Sequence, residues 1–278
     1  MFTKISNATV IIRTVGERTS ELCAQIARDQ VAEENVFIIN EIPFSSAVKR
    51  TFIIGLENQL PWTIALDADT LVKKNGFREL IHKAEQYPRP FFKGNGRGIV
   101  KFFGGGKLSN PHIYTTKFIH TALELFPEEN HLRPETNIKD IVNQKLGLEQ
   151  AYFTDVVAIQ DFEQYYSDIF RKSIVFGHKH QEKLQIFFKN WGNNLSTDLD
   201  YLVAFAGLFA GLYSDKSIEI DANKIPANFQ ALPFLAHLDE KTQLQMETPY
   251  VFIEKIIRSY NLKTMARKIK AKFSNPFL

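Results

Sequence analysis

The sequence predicts an α/β protein: a mixed, mostly parallel sheet with helices on both faces, followed by a helical C-terminal region. Three observations point there. Over the first 90 residues, β-branched runs alternate three times with stretches of helix length, the pattern of parallel strands joined by crossover helices. The third run, WTIALDADT (62–70), is apolar up to two carboxylates, Asp67 and Asp69. The chain's 278 residues, 44% hydrophobic and 23% charged, suit one large globular domain or a core domain with an appendage.

The elements follow in order. ATVIIRTVG (8–16) reads as the first strand and residues 17–30 as the first helix. VFIINEI (36–42) is the second strand, and SSAVKRTFIIGLENQL (45–60) the second helix, with a serine at its N-cap. WTIALDADT is the third strand and NGFRELIHKAEQY (75–87) the third helix. Open sheets of this kind bind ligands beyond the carboxyl ends of their strands. Arg13–Arg18, Glu41–Pro43 and Asp67–Asp69 therefore fall on one edge.

Residues 88–120 are rich in Gly, Pro and aromatics, as expected of a loop near a substrate or of turns between antiparallel strands. Gly104–Gly106 lacks both the spacing and the strand–loop–helix frame of a phosphate loop. Residues 121–150 read as helix, polar loop and helix; AYFTDVVAI (151–159) is strand-like; 161–191 opens as loop or helix and carries His178 and His180. The division drawn from this pass is a catalytic domain over 1–190 and a mainly helical region over 191–278. Within the latter, YLVAFAGLFAGLY (201–213) is shorter than the ~20 residues of a membrane span and is expected to be a buried helix.

Charge narrows the function classes. The net charge is +3, and a basic footprint is confined to the end of the chain, which argues against nucleic acid. From Lys255 onward, Lys255, Arg258, Lys263, Arg267, Lys268, Lys270 and Lys272 interleave with apolar residues and no acid. Such a helix either lies on anionic lipid or packs on the protein with a solvated basic face. One cysteine, Cys23, and no N-terminal signal pattern lead to the expectation of a cytoplasmic protein, at most peripheral to a membrane.

The chemistry centres on Asp67 and Asp69. Residues i and i+2 of an extended strand point to one side, so both carboxylates can aim at one spot. Two carboxylates that close call for a cation, and Mg²⁺ or Mn²⁺ taking oxygen ligands together with substrate phosphates is the natural choice. The alternative is a turn in which Asp69 merely caps the next helix.

With Asp67-Ala68-Asp69 closing a third strand, IIRTVGERT opening the chain, PET at 134–136 and DFEQYYSDIFRKSIVFGHKH downstream, residues 7–190 resemble nucleotide-sugar glycosyltransferases of the GT-A fold, broadly the family 2-like kind. The resemblance implies a Rossmann-type GT-A domain and a metal-dependent transfer of a sugar from a nucleoside-diphosphate donor, UDP- or GDP-linked, to a glycan, lipid-linked or small-molecule acceptor, in bacterial surface polysaccharide synthesis. It implies metal ligands at Asp67 and Asp69, with His178, or second His180, completing the shell. It places the donor at Arg13, Thr14, Glu17, Arg18, Glu41, Asp67, Ala68 and Asp69. Arg13 and Arg18, on the first strand–helix loop, suit an anion at a helix N-terminus. The second strand ends in Asn40-Glu41-Ile42-Pro43 where the family pattern has paired Asp, and the family's Glu-Asp base motif has no clear counterpart. Glu135 and Asp140 stand in for that motif, with Glu135 the expected base; Asp161 is expected to be catalytic as well, and it or Glu163 could instead contact acceptor or metal. The processive motif Gln-x-x-Arg-Trp is absent.

Two other classes compete. A nucleotidyltransferase usually carries a Gly-rich basic motif after the first strand, whereas TVGERTSE has only Gly16. A noncatalytic sugar-nucleotide or glycan-binding protein of the same fold fits the missing base motif. A Rossmann dehydrogenase is disfavoured because no Gly-x-Gly-x-x-Gly follows the first strand.

Overall fold

A computed structural model describes residues 3–127, 133–214 and 221–273, with side chains through residue 266. The apolar runs form the expected strands: β1 (Ala8–Arg13), β2 (Val36–Ile39) and β3 (Trp62–Asp67) pair in parallel in the order β2-β1-β3. Two helices join them, α1 (Ser20–Gln30) and α2 (Phe44–Asn58). The α2 helix opens one residue earlier than expected, with Pro43 rather than Ser45 at its cap.

The chain past β3 departs from the simple alternation. WTIALDADT is not one strand: β3 stops at Asp67, residues 68–69 turn, and β4 (Thr70–Val72) starts a new strand before α3 (Gly76–Glu85). The Gly-rich stretch is a long hairpin, β5 (Phe91–Val100) and β6 (Gly105–Thr115), the antiparallel alternative foreseen for it. Gly104 makes its tip, at φ +66° and close against Asn190. Beyond it lie α4 (Ile119–Glu124), α5 (Pro134–Leu146) and β7 (Glu149–Gln160). All seven strands join one sheet, β2-β1-β3-β6-β5-β7-β4, in which β6 and β4 run against the other five. This is the mixed, mostly parallel, GT-A-like arrangement the sequence predicts.

Both faces are covered. On one, Leu22, Ile26, Phe77 and Leu80 from α1 and α3 pack on Val10, Ile12, Ile64 and Leu66. On the other, Val48 and Phe52 of α2 and Ile138 and Val142 of α5 pack on Ala65, Phe92 and Tyr114. A third cluster gathers beside the sheet around Phe102 at the hairpin tip. It draws Ile169, Phe170 and Ile174 from α6 (Tyr166–Lys179), Phe187 and Trp191 from α7 (Leu184–Gly192), and Val203, Ala204 and Leu208 from α8 (Leu199–Leu212). Residue 190 falls within α7.

The α8 helix is the expected buried helix on one face, with Val203, Ala204 and Leu208 inside, while Phe209 and, just past its end, Tyr213 are exposed. Its small residues explain how it seats. A Cβ at Gly207 would lie 2.4 Å from the Phe170 carbonyl oxygen, and one at Gly211 2.3 Å from that of Ile174, so α8 touches the α6 backbone directly. Gly211→Val is expected to destabilise the protein by about 1–3 kcal/mol through overpacking, read as a lower midpoint in urea unfolding.

The last helix, α9 (Pro249–Phe273), starts as a packed helix. Ile253 is buried and Ile256, Ile257 and Tyr260 lie against the first core cluster, while Leu262 and Met265 are exposed beside Lys263. The side chains of Arg267, Lys268, Lys270 and Lys272, the rest of the basic stripe, lie outside the described residues. Among the described residues no helix is long and apolar enough to cross a membrane.

Candidate active site

A cleft of about 510 Å³ opens beyond the carboxyl ends of β1, β2 and β3 and runs under the β5–β6 hairpin. Two buried ionic networks form its floor. The first begins where β1 ends. Arg13, 4% exposed, sends Nε and Nη2 to Asp67 Oδ1 at 2.8 and 2.6 Å and Nη1 to Glu135 Oε1 at 2.8 Å. Glu135 stands at the first turn of α5, where a helix N-terminus favours an acid. It also accepts from Tyr114 Oη at 2.8 Å and faces His112 Nε2 at 3.3 Å and Lys93 Nζ at 3.7 Å. Asn110 Nδ2 donates to the other oxygen of Asp67.

The electrostatics follow from burial. Burial works against the Arg13 charge, but Asp67 and then Glu135 outweigh it and raise its pKa. For Glu135 burial is again opposed, by Arg13, Lys93 and His112, which hold the carboxyl well below its ordinary range. Asp67 moves the other way, raised by burial against Arg13 and with Asp69 adding repulsion. Burial, then Lys93, lowers His112.

The second network is built from the β3–β4 turn and the end of β7. Lys172 on α6 places Nζ against Asp69 Oδ2 and 2.7 Å from Asp161 Oδ1. Asp69 Oδ1 accepts from Thr70 Oγ1 at 3.0 Å and Gln160 Nε2 at 3.2 Å. The Asp69 carbonyl accepts from the Asp161 backbone N–H at 3.2 Å, tying the two turns together. Asp161 and Glu163 both adopt left-handed backbone, φ +66° and +59°, a strained conformation for non-glycine residues that clusters at functional sites. Lys172 outweighs burial in lowering Asp69, whereas burial keeps Asp161 raised despite Lys172.

The predicted residues sort into three groups. Arg13, Thr14, Glu17, Glu41, Asp67, Asp69, Glu135, Asp161 and His180 all line the cleft. Within it Glu17 is tied to its own loop, accepting from Thr14 Oγ1 at 2.8 Å and from the Val15 N–H at 2.9 Å. Glu135, the expected base, has its oxygens met by Arg13, Tyr114, His112 and Lys93. Arg18, Ala68 and His178 lie outside the lining. Arg18 instead binds Glu163 at 2.7 Å and the Thr242 carbonyl at 2.7 Å, and Ala68 is buried with its carbonyl on Thr19 Oγ1. Asp140 pairs with Lys139 and its side chain is 64% exposed.

The expected metal ligands do not all come together. Among the described residues no three His, Cys, Asp or Glu side chains gather as ligands. His178 sits in the last turn of α6 and His180 caps it, so helical geometry turns them to different sides. His180 packs edge-on against Phe103 and Phe176 rather than joining Asp67 and Asp69. What does gather is a pair of carboxylates, Asp69 and Asp161, around one positive point, the Lys172 ammonium. Hard oxygen donors about such a point fit Mg²⁺ or Mn²⁺ by chemistry, and the ion would have to displace that ammonium.

Sequence reading missed Lys172, Lys93, Asn110 and Gln160. Lys172 lies 103 residues from Asp69, and Asn110 lies 43 from Asp67; only the folded sheet brings them together.

No protein-family model and no curated relative matches the chain. Similar solved structures include a glycosyltransferase involved in glycosylation of the major capsid of PBCV-1 (11% identity, 56% of this chain and 93% of that one, TM-score 0.38). Another is the mannosyltransferase PcManGT from Pyrobaculum calidifontis in complex with GDP-Man and Mn²⁺ (11% identity, 76% of each chain, TM-score 0.39). S. aureus TarS 1-349 is similar over 76% of this chain and 81% of that one, at 11% identity and TM-score 0.35. Likeness this low does not speak for this chain's activity.

Proposed function

We propose that the chain is a glycosyltransferase that moves a sugar from a nucleoside-diphosphate donor, UDP- or GDP-linked, to a glycan or lipid-linked acceptor. The observation that supports it best is the pairing of Asp69 and Asp161 around one positive point, in a cleft that receives the ends of β1, β2 and β3. That position is where open α/β sheets bind nucleotides.

Each residue then has a role drawn from its placement. Thr14 and Glu41, past β1 and β2, border the nucleoside end of the cleft. Arg13 holds Asp67 in place, and its own charge is secured by Asp67 and Glu135. Asp69 and Asp161 would hold a divalent ion in place of the Lys172 ammonium, and when bound it would supply Lewis-acid stabilisation to the leaving diphosphate. Lys172 keeps a fixed positive charge beside that leaving group.

Calorimetry with a panel of nucleotide sugars, in Mn²⁺ and in EDTA, tests the donor reading. Metal-dependent binding of one donor, lost in Asp69→Ala, is the expected result; no binding by folded protein across the panel overturns it. Displacement of Lys172 carries its own prediction. Lys172→Met leaves Asp69 and Asp161 facing each other without a cation, so Mn²⁺ is expected to bind about tenfold tighter, ~1.4 kcal/mol. Direct Mn²⁺ titration of both proteins checks it.

A further inference from the structure

A second set of cations stands apart from the two networks: Lys107, Lys179 and Arg133 line the same cleft, and Lys183 lies beside it, outside the lining. Lys107 comes from β6, Lys179 from the last turn of α6, Lys183 from the turn that follows, and Arg133 from the residue before α5. Lys107 and Lys183 flank one ring: their ammonium groups lie 3.8 and 5.3 Å from the centre of Phe103. Arg133 Nη2 donates to the Lys179 carbonyl at 2.7 Å, which fixes the guanidinium beside that lysine. The same wall contains His180, 7% exposed, whose Nδ1 has no hydrogen-bond partner.

These cations lack the matched carboxylates of the floor. Glu182 stands 3.9 Å from Lys183 and 3.6 Å from His180 Nδ1 but is 61% exposed, a solvated contact of little strength; Asp161 acts on Lys107, and Glu135 and Asp67 on Lys179, from the floor. The crowding is visible in the lysines. Burial together with Lys183, Lys179 and Arg133 pushes Lys107 down to about 8, and burial with Arg133 lowers Lys179. Like charges held together in a partly enclosed wall raise the local concentration of anions, and phosphate groups are met by such Lys and Arg sets.

The sheet order decides which anion. Glu41 follows β2, Thr14 follows β1, Asp67 ends β3, and Lys107 lies on β6, on the far side of β3 from β2. On the donor reading above, on which this inference rests, the nucleoside lies toward β2 and its diphosphate over the carboxylates. The wall is then past the leaving group, on the acceptor's side. We infer that Lys107, Lys179, Lys183 and Arg133 bind a phosphate or diphosphate group carried by the second substrate. Whether that group belongs to a lipid or to a free sugar phosphate, its recognition chemistry is the same.

The test is calorimetry on the full chain with two probes, inorganic pyrophosphate and geranyl diphosphate, in a saturating concentration of the nucleoside diphosphate that binds best. Both probes are expected to bind, at least about tenfold more weakly to Lys107→Gln/Lys183→Gln and within about threefold of normal to Lys107→Arg/Lys183→Arg, with nucleotide affinity unchanged throughout. Tighter binding of geranyl diphosphate than of pyrophosphate assigns the group to a lipid; equal binding assigns it to a free phosphate. Probe binding that is absent, insensitive to the Gln pair, or abolished by saturating nucleotide overturns the inference, the last by making the wall the donor's own cradle. Failure of every nucleotide with the pyrophosphate titration intact instead overturns the donor reading and leaves the anion site standing.

Discussion

Asp69→Asn is expected to lower the rate of sugar transfer by about 10²–10³-fold, the scale on which removing one preorganised electrostatic group costs catalysis. The substitution keeps the shape of the side chain and an oxygen able to accept from Thr70 Oγ1 and Gln160 Nε2, so the β3–β4 turn keeps its ties. What it removes is charge. Asp69 faces Lys172 on one oxygen, and Asp161 shares that ammonium from the other side. With Asn at 69 the point between them has one carboxylate instead of two, and a divalent ion loses its stronger anchor there. Lys172 then pairs with Asp161 alone. Transfer measured at saturating donor and acceptor, beside an unchanged unfolding midpoint, gives the expected outcome. A loss below tenfold with folded protein would place the chemistry elsewhere in the cleft.

The legible part of this site was the part that is local in sequence. Strand β3 announces itself by an apolar run, and its two carboxylates stand one residue apart, so both the element and its chemistry are written in nine residues. The ends of β1 and β2 are legible for the same reason, since three strand–helix units fix which edge they share. Long-range partners are not written this way. The charge on Asp67 is answered by Arg13 and Asn110, and that on Asp69 by a lysine on α6. Nothing near Lys172 in sequence marks it as facing Asp69 rather than solvent. The same limit explains the two histidines: Gly-His-Lys-His carries a metal-ligand look only if extended, and the residues before it continue a helix whose turn separates the pair. The glycines left a loop and antiparallel strands both open: of Gly94, Gly96 and Gly104–Gly106, four of the five lie within paired strands. There they let the hairpin meet its neighbours closely: a Cβ at Gly94 would lie 2.6 Å from the Phe153 ring, and one at Gly106 2.8 Å from Arg97.

Glu135 supplies the second large effect, and it is one of stability. Its carboxylate joins Arg13, Lys93, His112 and Tyr114 in a buried network. Removing one partner of a buried ionic network leaves uncompensated charge, which costs about 3–5 kcal/mol. Asp67 still holds Arg13, and Lys93, already lowered by burial, can shed its proton, so Glu135→Ala is expected near the lower end, ~3 kcal/mol. Equilibrium unfolding in urea at pH 7 measures it. The pH dependence has a definite sign. A carboxyl held well below its ordinary value of 4.5 in the folded state contributes stability that is fully present above that value. The contribution is lost as pH falls toward the folded-state value, because the unfolded chain takes up the proton first. Below about pH 4.5 wild type should therefore lose stability more steeply than Glu135→Gln, and the two curves should converge on acidification. The pair of measurements also separates anchor from base. An anchor gives a variant that is unstable at neutral pH and whose acid slope is flattened; a general base gives a variant of normal stability that fails only in transfer. The contacts around Glu135 point to the first result.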